Sequence, residues 1–506
     1  MTLGPYTKDS LVQLLQMRLA LIFGFFVVAA TLLHAAPREA QVVEQAVVRL
    51  TNYQQSPDWT APWRMKPPQP NTGTGFLVEP GLILTSAHVV SDSRMLLVHK
   101  PSVPEPFIAK VAAIAHDSDL ALLEVGDPAF YEGLVPLPFG EFPELQSRVQ
   151  AYGYPLGGEE LSHTEGVVSR IEFGTYVHPG VDSHLLIQTD TAINPGNSGG
   201  PVVQDGKVVG VAFQSNLKLN DVGYFIPVPL IQRFLRDLED GSYDGVPEIG
   251  IQTSALLNRN ERAALGLPEG EGGVHVDRIL PRSSADGFLQ AGDVLLEIEG
   301  RAIDLAGMVR HQSLLVDFYI AAEDRQVGDA LHFVVWRDQS RHIVAVTLKP
   351  PPFGREVRNS YDRLPEYLIH GGLVFVALTR NYLQAQDQLY PVLAYEHWFR
   401  EIEQPNTRRE QSVVLARVLP ASSNSGYTEL RNFVLDRFNG TPVQSLAHLD
   451  SLLQSLPPET EHLVFTSHWN PLPVVLDRHE LEAQHEEILQ TYGIPAAKRL
   501  RTSTDL

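Results

Sequence analysis

No cysteine occurs in the 506 residues, so disulfide staples, thiolate metal sites and a cysteine nucleophile are all excluded. Positive charge is also short: 39 Lys and Arg stand against 60 Asp and Glu, a formal net charge of −21. That balance repels phosphate backbones and anionic lipid surfaces, which argues against nucleic acid as a partner. Of long apolar runs the notable one is Leu19–Leu33, preceded by Arg18 and followed by His34-Ala35-Ala36-Pro37. It is short for a full membrane crossing and reads as a targeting segment over residues 1–36. Cleavage after Ala35 would put Leu33 at −3 and cleavage after Ala36 would precede Pro37, so neither has the usual small-residue pattern, and a removed signal peptide and an uncleaved anchor both stay open. A periplasmic or otherwise exported protein is the expectation.

What is present is 43% hydrophobic residues, enough for several cores, and the length suggests three domains of about 100–200 residues each. The segment richest in chemistry is Gly196-Asn197-Ser198-Gly199-Gly200-Pro201. A serine between glycines can sit on a sharp turn with its hydroxyl exposed. The small neighbours leave backbone N–H groups free to face a developing oxyanion, with Gly196, Asn197 and Ser198 as the candidates. Alone, the motif is also what a polar turn looks like. Upstream, Thr72–Val78 and Leu82–Val90 are two apolar runs split by a turn at Pro80-Gly81, and His88 follows the second run. A histidine there is placed to act as a general base. In His116-Asp117-Ser118-Asp119, followed by Leu120-Ala121-Leu122-Leu123, the carboxylate of Asp119 enters a buried-looking strand. It can orient the imidazole and stabilise its charged form. His116 and Asp117 read as a polar turn at the strand edge. The order His88, Asp119, Ser198 is that of chymotrypsin-type proteases, whereas subtilisin and α/β-hydrolases use other orders.

Thr85-Ser86-Ala87-His88-Val89-Val90, Ser118-Asp119-Leu120-Ala121-Leu122-Leu123 and the Ser198 hexapeptide together resemble the triad motifs of the HtrA/Deg family of trypsin-fold serine proteases. Gly153–Gly157, Gly166–Ser169, Gln188–Asn194 and Gly223–Val228 extend the resemblance from about Val42 to Asp240. It implies a mainly β fold, with a trypsin-like double β-barrel over 37–240 followed by two PDZ-like α+β domains. It further implies an ATP-independent endopeptidase of misfolded or exported proteins, without metal or cofactor, assembled as a trimer or a multiple of trimers. Asn194-Pro195 would be the loop that switches the oxyanion hole. Trypsin-like enzymes carry an acidic pocket residue six positions before the nucleophile, and here that position is Ala192. With Ile193 and Phe213 beside it, an apolar pocket preferring Val, Ala, Ile or Leu is expected. The proline-bearing stretch Ser56–Asn71 is a loop, which in such relatives can control access or assembly.

Residues 246–350 resemble a PDZ domain. Glu248-Ile249-Gly250-Ile251 is the candidate carboxylate-binding loop, with Ile249, Gly250 and Ile251 as its residues, and Leu289–Gly300 carries the Gly292-Asp293 turn. Such a groove adds a peptide as an extra strand and holds its terminal carboxylate on backbone N–H groups. Arg278–Phe288 then recurs as Arg417–Tyr427, at a constant offset of 139 residues, an internal duplication. Residues 363–476 therefore look like a divergent second PDZ domain, similar to the plant-type Deg branch. Gly371-Gly372 stands where its carboxylate loop should lie, but Leu430-Arg431-Asn432 replaces Ala291-Gly292-Asp293. Capture of peptide C-termini is expected at the first copy and assembly at the second. Residues 477–506 are expected as a solvated tail with a helix over Glu480–Tyr492. His462, His468, His479 and His485 lack ligand spacing, so no metal site is expected there. The rival readings are a PDZ scaffold or chaperone that keeps the protease fold, and an esterase. The complete triad argues against the first and its order against the second.

Overall fold

Period-two burial shapes the first half of the chain. Along β1 (Val47–Gln54), Val48, Leu50 and Asn52 are buried while Arg49, Thr51 and Tyr53 are only partly so, an alternation that turns one face toward a barrel interior. The computed structural model describes residues 42–506 apart from 102, 216–222, 312–313, 324, 352–356, 404–408 and 502–506. The targeting segment expected over 1–36 lies outside the described residues, and among those described no helix is long and apolar enough to cross a membrane. With β1, the strands β2 (Gln69–Glu79), β3 (Leu82–Thr85), β4 (Ser93–His99), β5 (Phe107–Ala115) and β6 (Leu120–Val125) close a barrel in the order β1-β2-β3-β6-β5-β4. A second barrel joins β7 (Arg148–Gly153), β8 (Ser162–Thr175), β9 (Ser183–Thr189), β10 (Pro201–Gln204), β11 (Lys207–Ser215) and β12 (Gly223–Pro227) as β10-β11-β12-β9-β8-β7. Closure leaves neither sheet with an open edge. The seam between the barrels is filled by Phe76, Leu84, Leu120, Tyr152, Tyr176 and Phe213, and helix Val228–Asp237 adds Leu230, Ile231 and Phe234.

The first C-terminal module is a sheet of β13 (Ile251–Ala255), β14 (Val274–Ile279), β15 (Val294–Ile298), β19 (Ala330–Arg337) and β20 (Ser340–Thr347) in that order. A short β16 (Arg301–Ala302) pairs with β15, and β17 (Met308–His311) with β18 (Leu314–Asp317) forms a hairpin. The Gly-Asp turn has a mechanical reason. Gly292 adopts φ +97°, and the buried Asp293 carboxylate accepts two bonds from Arg337, at 2.7 and 2.6 Å, and one from Gln290 N at 2.9 Å. The module is seated on the second barrel: Leu185 belongs to its core, with Ile171 and Phe173 packed against it.

In the second module β21 (Tyr367–His370), β22 (Leu373–Ala377), β23 (Val413–Val418), β24 (Arg431–Leu435) and β29 (Lys498–Arg499) form the sheet β24-β23-β22-β21-β29. A smaller sheet holds β25 (Arg437–Phe438), β26 (Thr441–Pro442), β27 (His462–Thr466) and β28 (Val474–Asp477). The duplication is structural: β14 and β23 start and end 139 residues apart and are the middle strands of β13-β14-β15 and β22-β23-β24. Where Asp293 stood, Asn432 accepts from the Tyr382 hydroxyl at 2.5 Å instead. The solvated tail is corrected. Helix Arg478–Thr491 buries Leu481, Ile488 and Leu489, and β29 pairs with β21, so this segment is packed into the second module. The proline-bearing loop also docks there, through Trp63 edge-on to Tyr367 at 6.2 Å and Arg499 Nη1 donating to Pro62 O at 3.0 Å.

Candidate active site at the barrel seam

His88 lies on the single turn Ala87–Val90 that follows β3, and Asp119 immediately precedes β6 with a left-handed backbone, φ +55°. That conformation is uncommon outside glycine but tolerated by aspartate. It aims both carboxylate oxygens at one residue: Oδ2 accepts from His88 Nδ1 at 2.7 Å and Oδ1 from the His88 backbone N–H at 2.8 Å. Asp119 O also accepts from Ala87 N at 3.1 Å. Burial alone pushes the Asp119 carboxyl up, but the charge of His88 and the bonds from its ring and backbone outweigh it and hold it below the ordinary range. For His88, burial pushes the imidazole down, yet the charge and hydrogen bond of Asp119 prevail and keep it above 6.5. The Nδ1 position is thereby committed to Asp119, leaving Nε2 for chemistry.

Ser198 comes from the second barrel. Its carbonyl accepts from Thr74 N at 2.9 Å, which ties its loop to the first barrel, and its hydroxyl donates to Phe213 O at 3.3 Å. The oxyanion side is set by one peptide plane. Pro195 O accepts from Leu156 N at 2.7 Å, and because C=O and N–H of a trans peptide point oppositely, Gly196 N–H faces away from Leu156. Gly196 O is held by Thr74 Oγ1 at 2.7 Å. Among the described residues, Gly196 N–H and Ser198 N–H meet no protein acceptor. Asn197 is a correction: its N–H donates to Asn194 O at 2.9 Å, so it closes the turn and is not free for an oxyanion.

The expected pocket also changes. Ile193 and Phe213 are 5% and 3% exposed and belong to different clusters, Ile193 inside the second barrel and Phe213 at the seam against Tyr176 at 4.6 Å. Ala192 is the one of the three that stays partly accessible. Phe213 contributes its backbone carbonyl beside Ser198.

Asp117 is not a mere turn residue. Its carboxylate accepts from Tyr243 Oη at 2.5 Å, Val246 N at 2.9 Å and Ser118 N at 2.8 Å, which moors the chain leading into the first C-terminal module beside Asp119. Sequence reasoning missed His178, whose Nε2 lies 3.0 Å from His116 Nδ1 and whose ring is 6.2 Å from that of His88. Burial pushes His178 down to about 3. No local motif marks it.

At the first module, Gly250 has φ +76° and a Cβ there would lie 2.1 Å from Ser283 Cβ. The N–H groups of Ile249 and Gly250 meet no acceptor among the described residues, while Tyr319 Oη donates to Ile251 O at 3.0 Å. The loop opens into a cavity of about 360 Å³ shared with the second barrel, lined by Glu248, Asp182, Tyr319 and Glu323 among others. In the second module the equivalent places are filled from within. β21 occupies the edge of β22, and Gly371 N–H donates to His485 Nδ1 at 3.2 Å.

The trypsin-like peptidase domain family matches residues 73–211 and the PDZ domain family residues 357–500. Protease Do-like 4, mitochondrial, of Arabidopsis thaliana is 34% identical over 455 residues, 89% of this chain and 84% of the relative. Protease Do-like 2, chloroplastic, of the same plant is 34% identical over 464 residues, 90% and 74%. A solved structure, HtrA-type protease AlgW with tripeptide, aligns over 62% of this chain and 98% of that one at 24% identity, with a TM-score of 0.48. Identity of this extent to Do-like proteases, together with a peptidase-domain match that spans the His88, Asp119 and Ser198 loops, places the chain in the HtrA/Deg (Do-like) family of PDZ-bearing serine endopeptidases.

Proposed function

We propose that Ser198 is the nucleophile, His88 the general base and Asp119 the group that orients it, with Gly196 N–H and Ser198 N–H as the oxyanion hole. His88 Nε2 takes the proton of the Ser198 hydroxyl as Oγ forms a bond to the scissile carbonyl carbon, and the carbonyl oxygen gains the negative charge. The same proton is then delivered to the leaving amine as the C–N bond breaks, giving an acyl-enzyme that water hydrolyses by the reverse transfer. Asp119 stabilises the imidazolium without taking its proton. The observation that carries this reading is the pair of bonds from His88 to one carboxylate, beside a Gly196 peptide turned so that its N–H is unpaired.

Misfolded or exported proteins are the substrates this reading favours, with apolar peptide C-termini bound at the Ile249-Gly250-Ile251 loop and the chain assembled as a homo-oligomer, a trimer or a multiple of trimers. The family resemblance supports those finer points. The test is labelling with an organophosphonate, which forms a phosphonyl ester only with an activated serine. Wild type should be labelled and lose casein cleavage; Ser198→Ala should be neither labelled nor active while melting as wild type does. Labelling that persists in Ser198→Ala would sink the assignment.

A further inference from the structure

The connection between the two PDZ modules runs beside the active site and holds on to both barrels. On the second barrel, Arg358 Nε donates to Asp182 Oδ2 at 2.7 Å. Asn359 Nδ2 and Tyr361 Oη both donate to His178 O, at 2.9 and 3.0 Å. On the first barrel, Asp362 N donates to Asp92 Oδ1 at 2.7 Å and Asp92 N to Asp362 Oδ1 at 2.6 Å, while Asp362 Oδ2 lies 3.1 Å from His116 Nε2. Residues 357–362 thus bridge the seam within four residues of His88. Their most apolar surface is the Tyr361 ring, stacked on His178 at 4.0 Å between centroids and 13° between planes, and the His178 ring is in turn 6.2 Å from that of His88. The His88 side chain itself remains 31% exposed, so the imidazole edge is left open beside the strap.

A substrate has to lay chain over that exposed edge. Its scissile carbonyl must come within about 3 Å of Ser198 Oγ and of the oxyanion donors, and an extended chain advances about 3.3 Å per residue. A side chain within two residues of the cut is therefore within reach of the flank where His178 and Tyr361 stand, 6.2 Å separating the His88 and His178 rings. Because burial keeps His178 uncharged, the stacked His178 and Tyr361 rings themselves form an aromatic, uncharged face.

Building on the triad reading above, we propose that Tyr361 is a specificity-determining residue of the endopeptidase: with His178 it walls the subsite for the substrate side chain that lies against His88, which makes the inter-module linker part of the substrate cleft. Such a wall favours a large apolar side chain at that position over a small or charged one.

Full-length wild type, Tyr361→Ala, Tyr361→Leu and Tyr361→Phe are compared on a peptide library varied within two residues of the cut, with organophosphonate labelling of Ser198 measured in parallel. Tyr361→Ala should lower kcat/KM about tenfold or more for large apolar residues at one position, chiefly through KM, and leave glycine at that position unaffected. Tyr361→Phe should restore the preference, Tyr361→Leu should restore it only in part, and labelling rates should match wild type throughout. An unchanged profile, or a change uniform across all residues whether loss or gain, overturns the proposal, since a structural defect and a strap that merely blocks the cleft both act uniformly. Failure of the wild type to be labelled would overturn the triad reading beneath it, and is distinguishable by that signature.

Discussion

Gly196→Ala asks for more than room for a methyl group. Gly196 has φ +98°, and a Cβ there would lie 2.3 Å from Tyr154 O, 2.7 Å from Leu156 N and 2.9 Å from Pro155 C. All three are backbone atoms, so none can swing aside as the tip of a flexible side chain does. The loop has to move, and the bond most exposed to that movement is Leu156 N to Pro195 O. Left-handed backbone for alanine costs about 1–2 kcal/mol, and a broken, buried backbone hydrogen bond adds about 1–3 kcal/mol. At about 2–4 °C per kcal/mol for a domain of 150–250 residues, Tm should fall by roughly 4–20 °C. The effect on catalysis is larger, because once the Pro195 peptide rotates, Gly196 N–H leaves the oxyanion hole. Losing one such donor lowers kcat about 10²–10³-fold, with KM nearly constant because the bond is made in the transition state. Steady-state kinetics on a peptide substrate and a thermal melt read the two effects separately. A variant with kcat within threefold of wild type would refute the placement of Gly196 N–H in the hole.

Other consequences are as direct. Asp117→Ala leaves Tyr243 Oη and Val246 N without their acceptor, and should lower stability by about 1–3 kcal/mol for each group left unpaired; an unchanged Tm would show that these bonds do not matter. Burial, reinforced by Asp182, pushes the Glu248 carboxyl from 4.5 up to about 7, so between those values the folded state binds a proton that the unfolded state has released. Stability should therefore fall as pH rises from 4.5 to 7, and Glu248→Gln should flatten that limb in melts taken across the range; a limb of the same slope in the variant would refute it. Gly250→Val drives a branched side chain into Ser283 at a left-handed position, and should abolish calorimetric binding of peptides with an apolar free C-terminus by the full chain. Retained binding would move peptide capture elsewhere.

How much of this was legible beforehand depended on the distance over which each contact is made. Thr85–Val90, Ser118–Leu123 and Gly196–Pro201 each carry their geometry in a few consecutive residues, and the family, the double barrel and the serine endopeptidase activity followed from them. The arrangement at the seam is different in kind. Tyr361 reaches His178 across 183 residues of chain, and Asp362 reaches Asp92 across 270, with no composition or period to announce either contact. The docking of helix Arg478–Thr491 was hidden for a subtler reason: its sequence is mostly polar, yet Leu481 stands seven and eight residues before Ile488 and Leu489, the narrow stripe a helix needs to dock on one face. Asn197 stood between two hole residues, and only the turn bond to Asn194 shows that adjacency in sequence does not make its N–H available. Ile193 and Phe213 are apolar as anticipated, but the barrel interior and the seam claim their side chains before a pocket can.

Arg499 meets Pro62 across 437 residues, and β29 leaves the ribosome after every other described strand. At about 5–20 residues per second, the proline-bearing loop is made roughly 20–90 s before the surface it docks on exists. The strap at residues 357–362 likewise reaches the cleft only after both barrels have been synthesised. The protease unit therefore meets the cell first as a bare double barrel, with its loop undocked and the flank of His88 unwalled, and acquires its finished cleft in the order in which the chain is translated.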